Sequence, residues 1–197
     1  MRTIRPLRDT SGVTLCSLAS FVATGLATPI AGPFVYPASG HSYFLLDRNS
    51  WTASEGEAIS LGGHLATIND LAENTWVFTT FAPLAKEHRP SPEFHPALWV
   101  GLNDAAMEGT FTWASGEPVS FTHWDTGQPN SAGGDEDYVL MRGVSPTPPS
   151  QPGFWNDFVN HYVGDDIFGV VEVVPEPGSI CLLAVSTLVI LASRRRK

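Results

Sequence analysis

Cysteine is nearly absent from this chain of 197 residues. The only two cysteines, Cys16 and Cys181, each lie in a hydrophobic segment near one end. The middle of the chain therefore has no disulfide and no thiolate metal site. Its stability must come from a hydrophobic core or from a bound ion.

Basic residues are also scarce in the middle. Between residues 28 and 174 there are eighteen acidic residues and four basic ones, which gives a formal charge of −14. The four are Arg48, Lys86, Arg89 and Arg142. Such a surface repels nucleic acid and anionic lipid, so no nucleic-acid partner is expected. It would suit cations, although charge alone favours a soluble acidic domain that binds no ion.

The N-terminal segment has the layout of a secretory signal peptide. Arg2, Arg5 and Arg8 precede an apolar run and then small residues, so we assign residues 1–27 to the signal. Cleavage is expected after Ala27 or Ala31, and the alternative is a buried N-terminal helix.

The C-terminal segment combines Pro175-Glu176-Pro177, an apolar stretch over 179–192 and a basic end. That stretch is short for a membrane span, and the basic end would stay in the cytoplasm. Residues 175–197 resemble a PEP-CTERM sorting signal. The resemblance implies transient anchoring in the inner membrane, cleavage by an exosortase-type enzyme, and delivery to the cell surface or extracellular matrix. A plain tail anchor is the alternative.

The segment 34–174 is predicted to be one α+β domain. Helices are expected over 51–61 and from Asn69 or Asp70 onward, with Glu73 completing a capping box. Ala72, Trp76 and Thr80 are expected on one face of the second helix, beside Val77 and Phe81. Short strands are predicted over 97–102, 109–113, 138–142 and 168–174, and the Pro-rich stretch 145–153 is predicted to be a loop.

An ordered set of motifs resembles the C-type lectin fold over nearly all of this domain. The set comprises Gly62-Gly63-His64-Leu65, Trp99-Val100-Gly101-Leu102, Gln128-Pro129-Asn130, Glu136-Asp137, Trp155-Asn156-Asp157 and Gly169-Val170-Val171-Glu172. The resemblance implies two helices, short antiparallel strands and a long calcium-binding loop region. The family's usual disulfide positions correspond to Ala58 with Val171 and to Tyr138 with Asn160, so both bridges are missing. We expect an apolar Ala58–Val171 contact to replace one of them.

The resemblance also implies sites for Ca²⁺, a hard cation that takes six to eight oxygen ligands. In the family Pro129 is cis, and the flanking amides point the same way. The principal calcium site, which would also bind the sugar, comprises Gln128, Asn130, Glu136, Asn156 and Asp157. An auxiliary calcium site comprises Asp104, Glu108, Glu136 and Asp137, with Ser131 standing where the family often has another acid or amide.

These residues predict binding rather than catalysis, and the protein is not expected to be an enzyme. The leading hypothesis is an exported, calcium-dependent protein that binds a glycan or exopolysaccharide. Gln128-Pro129-Asn130 differs from the family's Glu-Pro-Asn and Gln-Pro-Asp forms, so mannose-type specificity is only weakly favoured and calcium binding should be weakened. The alternative is a calcium-independent lectin-like domain that binds protein or serves matrix structure without sugar.

Overall fold

The computed structural model describes residues 28–89, 95–132, 134–143, 152–160 and 166–175. The predicted signal peptide, the apolar stretch 179–192 and most of the Pro-rich loop lie outside these ranges. Within them, no helix combines the length and apolarity that a membrane crossing requires.

The domain is built on one mixed sheet. Its strands are β1 Ala31–Val35, β2 Ser42–Arg48, β3 His64–Leu65, β4 Ala97–Asn103, β5 Thr112–Trp113, β6 Tyr138–Met141, β7 Trp155–Phe158 and β8 Ile167–Val173. The order is β1-β2-β8-β4-β6-β7, with β3 added to β8 and β5 added to β4. Among the described strands, only the β4–β8 pair is parallel. The last strand therefore lies inside the sheet, bonded to β2, β3 and β4.

Two helices precede most of the strands, as predicted. Helix α1 spans Trp51–Ser60, and its N-cap Ser50 accepts a hydrogen bond from the Ala53 N–H. Helix α2 spans Leu71–His88 and is capped by Asp70, whose side chain accepts from the Glu73 N–H at 2.8 Å. Glu73 Oε2 in turn accepts from the Asn69 N–H at 2.7 Å, so the return bond of the capping box reaches one residue before the cap.

The buried face of α2 differs from the prediction. Asn74, Val77, Phe81 and Ala85 are buried at helical spacing, whereas Ala72 is exposed. Trp76 is only half-buried against the core. The buried side is therefore centred on Val77 and Phe81, which the prediction placed beside the face of Ala72, Trp76 and Thr80.

The predicted strands over 97–102, 138–142 and 168–174 correspond to β4, β6 and β8 within one residue at each end. The strand expected over 109–113 is reduced to the two residues of β5. Four strands were missed, namely β1, β2, β3 and β7. Strand β1 begins three residues before the predicted domain start, and Ala31 pairs with Leu45.

Both missing disulfides are replaced by packing or hydrogen bonds. Ala58 and Val171 are buried in one apolar cluster, as expected. At the other position, the Tyr138 ring packs on Trp51 with centroids 4.8 Å apart. Asn160 holds the start of α1, since its carbonyl oxygen accepts from the Trp51 N–H and its side chain accepts from the Thr52 N–H.

Three tryptophans, Trp99, Trp113 and Trp155, are buried in the core. Gly101 in β4 allows the β3 segment to approach closely, since a Cβ there would lie 2.5 Å from the Leu65 carbonyl oxygen. Asp166 lies directly before β8. Its carboxylate is largely buried and pairs with both Arg48 and Arg89.

A buried polar network joins β2, α2 and β8. The Tyr43 hydroxyl lies 2.6 Å from Glu73 Oε1 and 2.8 Å from Glu172 Oε1, and these glutamates are only 4% and 5% exposed. One hydroxyl hydrogen cannot serve both contacts. They are satisfied together when Glu73 is protonated and donates to Tyr43, which then donates to Glu172. Burial is the main cause that raises the pKa of Glu73, and the Glu172 charge raises it further.

We expect the substitution Glu73→Gln to stabilise the protein at neutral pH. A carboxyl with a raised folded pKa contributes its stability below its unfolded pKa, about 4.3, and loses it as pH rises through the folded pKa. Glutamine keeps both hydrogen bonds without ionising. Urea unfolding from pH 4 to pH 8 should therefore show Glu73→Gln gaining on the parent protein as pH rises. Glu87→Gln, an exposed carboxylate on the same helix, should show no such trend, and a pH-independent loss for Glu73→Gln would contradict the expectation.

Candidate functional site

The candidate site lies where β4, β6 and β7 meet the long loops. Asp104 directly follows β4 and Asp137 directly precedes β6, and the Asp104 N–H donates to the Asp137 carbonyl oxygen at 3.0 Å. Asp157 lies in β7, opposite Val139 of β6. The sheet register thus fixes three of the predicted acidic residues at one place.

Asp104, Glu108 and Asp137 form a cluster that we call the acidic cluster. One carboxylate oxygen from each lies within 4.8 Å of the others. Asp104 is only 3% exposed, and Asp137 is half-buried. These are three of the four residues predicted for the auxiliary calcium site. The fourth, Glu136, is not in the cluster.

The carboxylates of the acidic cluster repel one another and are partly removed from water. Burial is the main cause that raises the pKa of Asp104, and the charges of Glu108 and Asp137 add to it. Burial likewise raises the pKa of Asp137, with the charges of Asp135 and Glu108 adding to the shift. Asp104 Oδ2 accepts from the Gly109 N–H at 2.7 Å, but its buried Oδ1 has no hydrogen-bond partner among the described residues. A cation near Oδ1 would offset both the repulsion and the lost hydration.

The second group of predicted ligands surrounds the loop 128–131. The Gln128–Pro129 peptide bond is cis, as the resemblance implied. Gln128 Oε1 is buried without a hydrogen-bond partner among the described residues, and so is Asp157 Oδ1. Asp157 is 1% exposed, and its other oxygen accepts from the Asn130 and Ser131 N–H groups at 2.8 and 2.7 Å. The loop is therefore fastened to β7 through one carboxylate oxygen, while the other oxygen is left for another partner.

The remaining predicted ligands of the principal site are engaged differently. Asn130 Oδ1 accepts from the Ala132 N–H at 2.8 Å, which closes a local turn. Asn156 Oδ1 lies 3.4 Å from Arg142 Nη1, and the amide nitrogen of Asn156 donates to the Asp157 carbonyl oxygen. Glu136 is half-buried at the start of the segment that leads into β6. Asn156 and Asp157 lie within strand β7 and not in a turn.

Ser131 connects the two groups, a role that the sequence reasoning missed. Its backbone N–H donates to Asp157, and its hydroxyl donates to Glu108 Oε1 at 2.7 Å. Its φ of 45° lies in the left-handed region, which residues other than glycine rarely adopt. The sequence offered only one signal of this role, namely the position of Ser131 immediately after Asn130.

A separate groove lies between α2 and the segments 121–124 and 152–154. It has a volume of about 440 Å³ and is lined by residues that include Phe78, His123 and Phe154. The His123 ring packs against Phe154, and burial lowers its pKa. None of the predicted calcium ligands lines this groove.

Oxygen atoms alone make up both groups of predicted ligands, in the form of carboxylates and amide carbonyls. That donor set suits Ca²⁺ better than a softer metal. Each group contains at least one buried oxygen without a partner among the described residues. The donor types in both groups therefore suit a calcium ion, and the acidic cluster supplies the larger negative charge and the oxygens that lie close together.

Comparisons with known proteins agree with this geometry. A family model described as the Lectin C-type domain matches residues 47–160, and one described as the PEP-CTERM protein-sorting motif matches residues 173–197. The mouse low affinity immunoglobulin epsilon Fc receptor is 46% identical over 115 residues, which cover 58% of this chain and 29% of the receptor. Human C-type mannose receptor 2 is 32% identical over 127 residues, which cover 64% of this chain and 7% of the receptor.

Among solved structures, the carbohydrate-recognition domain of cow CD23, determined in the presence of a GlcNAc2Man3 oligosaccharide, superposes with a TM-score of 0.55 at 22% identity. The superposition covers 76% of this chain and 99% of that domain. It shows a shared fold. The matched region spans less than a third of either receptor described above.

We expect Asp104→Asn to abolish the part of the thermal stabilisation by calcium that arises from binding at the acidic cluster. Without divalent ions this variant should unfold at the same temperature as the parent protein or higher, because asparagine still accepts from Gly109 and repulsion is reduced. Calcium at a hundred times its Kd should stabilise the parent by about 2.7 kcal/mol, or roughly 5–10 °C, and the variant much less.

Thermal unfolding with calcium and with chelator measures both effects. Glu87→Gln serves as the control, since its exposed carboxylate lies on α2 and should leave the calcium response unchanged. An equal calcium shift in the parent protein and in Asp104→Asn would exclude the acidic cluster as a calcium site.

Proposed function

Because the chain belongs to the C-type lectin family and ends in a PEP-CTERM protein-sorting motif, we propose that this exported protein binds glycans through calcium. The observation that carries the proposal is a pair of buried oxygens, on Gln128 and Asp157, that have no hydrogen-bond partner in the part of the chain that the structure describes. They belong to the two chain segments that the Asp157 hydrogen bonds to Asn130 and Ser131 hold together. Two such oxygens cost free energy unless a cation or a hydrogen-bond donor meets them.

In the proposed principal site, Gln128, Asn130, Glu136, Asn156 and Asp157 hold the ion. Calcium supplies open coordination positions that a pair of neighbouring sugar hydroxyls can fill. The carboxylates accept hydrogen bonds from those hydroxyls, and the amide NH₂ groups donate to them. Asn130 and Asn156 retain a second carbonyl lone pair beside the internal bonds that they make, so both can still face an ion.

The acidic cluster is the proposed auxiliary calcium site, with Asp104, Glu108 and Asp137 as ligands and Glu136 as a further candidate. The Ser131 hydroxyl donates to Glu108 at the position where the family often has another acid or amide. An ion here would fix the loop 105–109 and, through the hydrogen bond from Ser131 to Glu108, the loop 128–131 as well. The role proposed for the auxiliary ion is therefore structural, since it would hold the sugar-binding loop in place.

The proposed cellular location follows from the sorting motif. The described domain ends at Pro175, directly after β8, so a cut near Pro175-Glu176-Pro177 would leave every described strand intact. We propose that the segment 179–192 anchors the chain in the inner membrane until an exosortase-type enzyme releases it. The protein would then act at the cell surface or in the extracellular matrix, on a glycan or exopolysaccharide of mannose type.

A second candidate function is a calcium-independent lectin-like domain that binds protein or supports a matrix. One observation favours it. The side-chain oxygens of Asn130 and Asn156 already accept hydrogen bonds from Ala132 and Arg142, so these two ligands are partly engaged without an ion. Binding of a matrix protein that is unaffected by chelator would support this candidate.

Asp157→Asn tests the glycan-binding proposal. The substitution keeps an oxygen that can accept from Asn130 and Ser131 but removes the negative charge that faces the ion. We expect a glycan array to give chelator-sensitive signals with the parent protein and at least tenfold weaker signals with Asp157→Asn. The control is Asp47→Asn, which changes an exposed acid near the end of β2 and should bind like the parent. If the parent shows no chelator-sensitive glycan, the proposal is wrong.

Gln128→Glu should strengthen calcium binding. It places a charged oxygen where Gln128 Oε1 is buried without a partner, and it creates the Glu-Pro-Asn form that accompanies mannose-type sugars in the family. Calorimetric titration should show a lower Kd for calcium, by about tenfold if one charge contributes roughly 1.4 kcal/mol. Without calcium the variant should be less stable than the parent, because the new carboxylate is buried unpaired. Unchanged affinity would place Gln128 outside the ion site.

A further inference from the structure

Arg142 is a basic residue that contacts a predicted ligand of the candidate site. It directly follows β6, where its N–H donates to the Phe154 carbonyl oxygen and its own carbonyl oxygen accepts from the Gly153 N–H, both at 2.8 Å. Leu140 pairs with Asn156 across β6 and β7, so Arg142, two residues on from Leu140, projects to the Asn156 side of the sheet. Its guanidinium reaches Asn156 Oδ1 at 3.4 Å.

The charge of Arg142 is not balanced within the described part of the chain. The ion pairs there engage Arg48 and Arg89, which share Asp166, and two histidines, but no carboxylate lies within 4.0 Å of Arg142. This is notable in a segment with eighteen acidic residues and only four basic ones. The long contact to Asn156 uses one of the five N–H groups of the guanidinium.

We infer that Arg142 selects sugars that carry an anionic group, such as the carboxylate of a uronic acid, next to the hydroxyls that meet the calcium ion. The inference rests on the proposed calcium-dependent sugar binding. A guanidinium presents a planar fork that matches a carboxylate or a sulfate ester with two parallel hydrogen bonds. Asn156 lies in the proposed sugar contact, so a ring held there brings its substituents within reach of Arg142.

Because the domain is acidic, a preference for an anionic sugar requires a short-range contact. A segment with a formal charge of −14 repels anions at long range, so an anionic glycan gains nothing from the overall field. Any preference for an anionic sugar must therefore come from short-range contacts at Arg142 and from the ion. Such a preference falls as salt is raised, because the guanidinium is only half-buried.

Matched sugar pairs test the inference on the purified full chain in calcium. Kd values are measured for methyl glucuronide against methyl glucoside, and for methyl mannuronide against methyl mannoside, with glucose 6-sulfate as the arm that separates sulfate from carboxylate. We expect the parent protein to bind each uronide about three- to tenfold more tightly than its neutral partner. Arg142→Gln should bring the ratio to about one while leaving the Kd of the neutral sugar unchanged. Arg142→Lys should retain part of the preference, because it keeps the charge but loses the fork.

Arg48→Gln is the matched control, since that arginine pairs with Asp166 and should leave the ratio as it is in the parent. A ratio of one in the parent, or an equal ratio in the parent and in Arg142→Gln, would overturn the inference while calcium-dependent binding of the neutral sugars upheld the proposed function. Loss of neutral-sugar binding in Arg142→Gln would also overturn it, because Arg142 would then be holding Asn156 in place. A parent protein that binds none of the sugars would overturn both.

Discussion

Two aspartates are buried at the loop end of the sheet with only half of their hydrogen-bonding capacity used. Asp104 and Asp157 each accept backbone N–H groups on one oxygen, while the other oxygen has no partner among the described residues. A buried carboxylate in this state is costly, and the cost increases where other carboxylates lie nearby. The backbone bonds cannot be given up, because they fasten the loops 105–109 and 128–131 to strands. The same two aspartates therefore fasten the loops and leave an oxygen that a cation would stabilise.

Ser131 makes the two groups of ligands interdependent. Its N–H is bonded to Asp157 and its hydroxyl to Glu108, so a shift of either carboxylate toward an ion is transmitted to the other through one residue. The left-handed backbone of Ser131 restricts the ways in which it can adjust. Occupancy of the acidic cluster would consequently order the segment that presents Gln128 and Asn130. The structure of the loops 105–109 and 128–131 therefore depends on both groups of predicted ligands.

The sequence predicted the two helices and the strands β4, β6 and β8 well because their signals are local. Capping by Asp70 and Glu73 and the apolar runs of β4, β6 and β8 depend on neighbours in the chain. Strands β1, β2 and β7 were missed because they are defined by distant partners, as when Ser42–Leu45 pair with Val170–Val173. The ligand residues were identified only through ordered motifs. Which carboxylates converge could not be predicted, since Glu136 and Asp137 are adjacent in sequence and only Asp137 joins the acidic cluster.

The position of β8 inside the sheet has a mechanical consequence. The sorting tail leaves the domain directly from this strand, which is bonded to β2 on one side and to β4 on the other. Tension applied along the tail would act roughly parallel to β8 and across its hydrogen bonds, which would have to break together and not one after another. From β8 the load path continues through β4 and β6 to β7, the strand that carries Asp157. Force applied between Asp157 and the tail would therefore pass through four adjacent strands before it reached the loops.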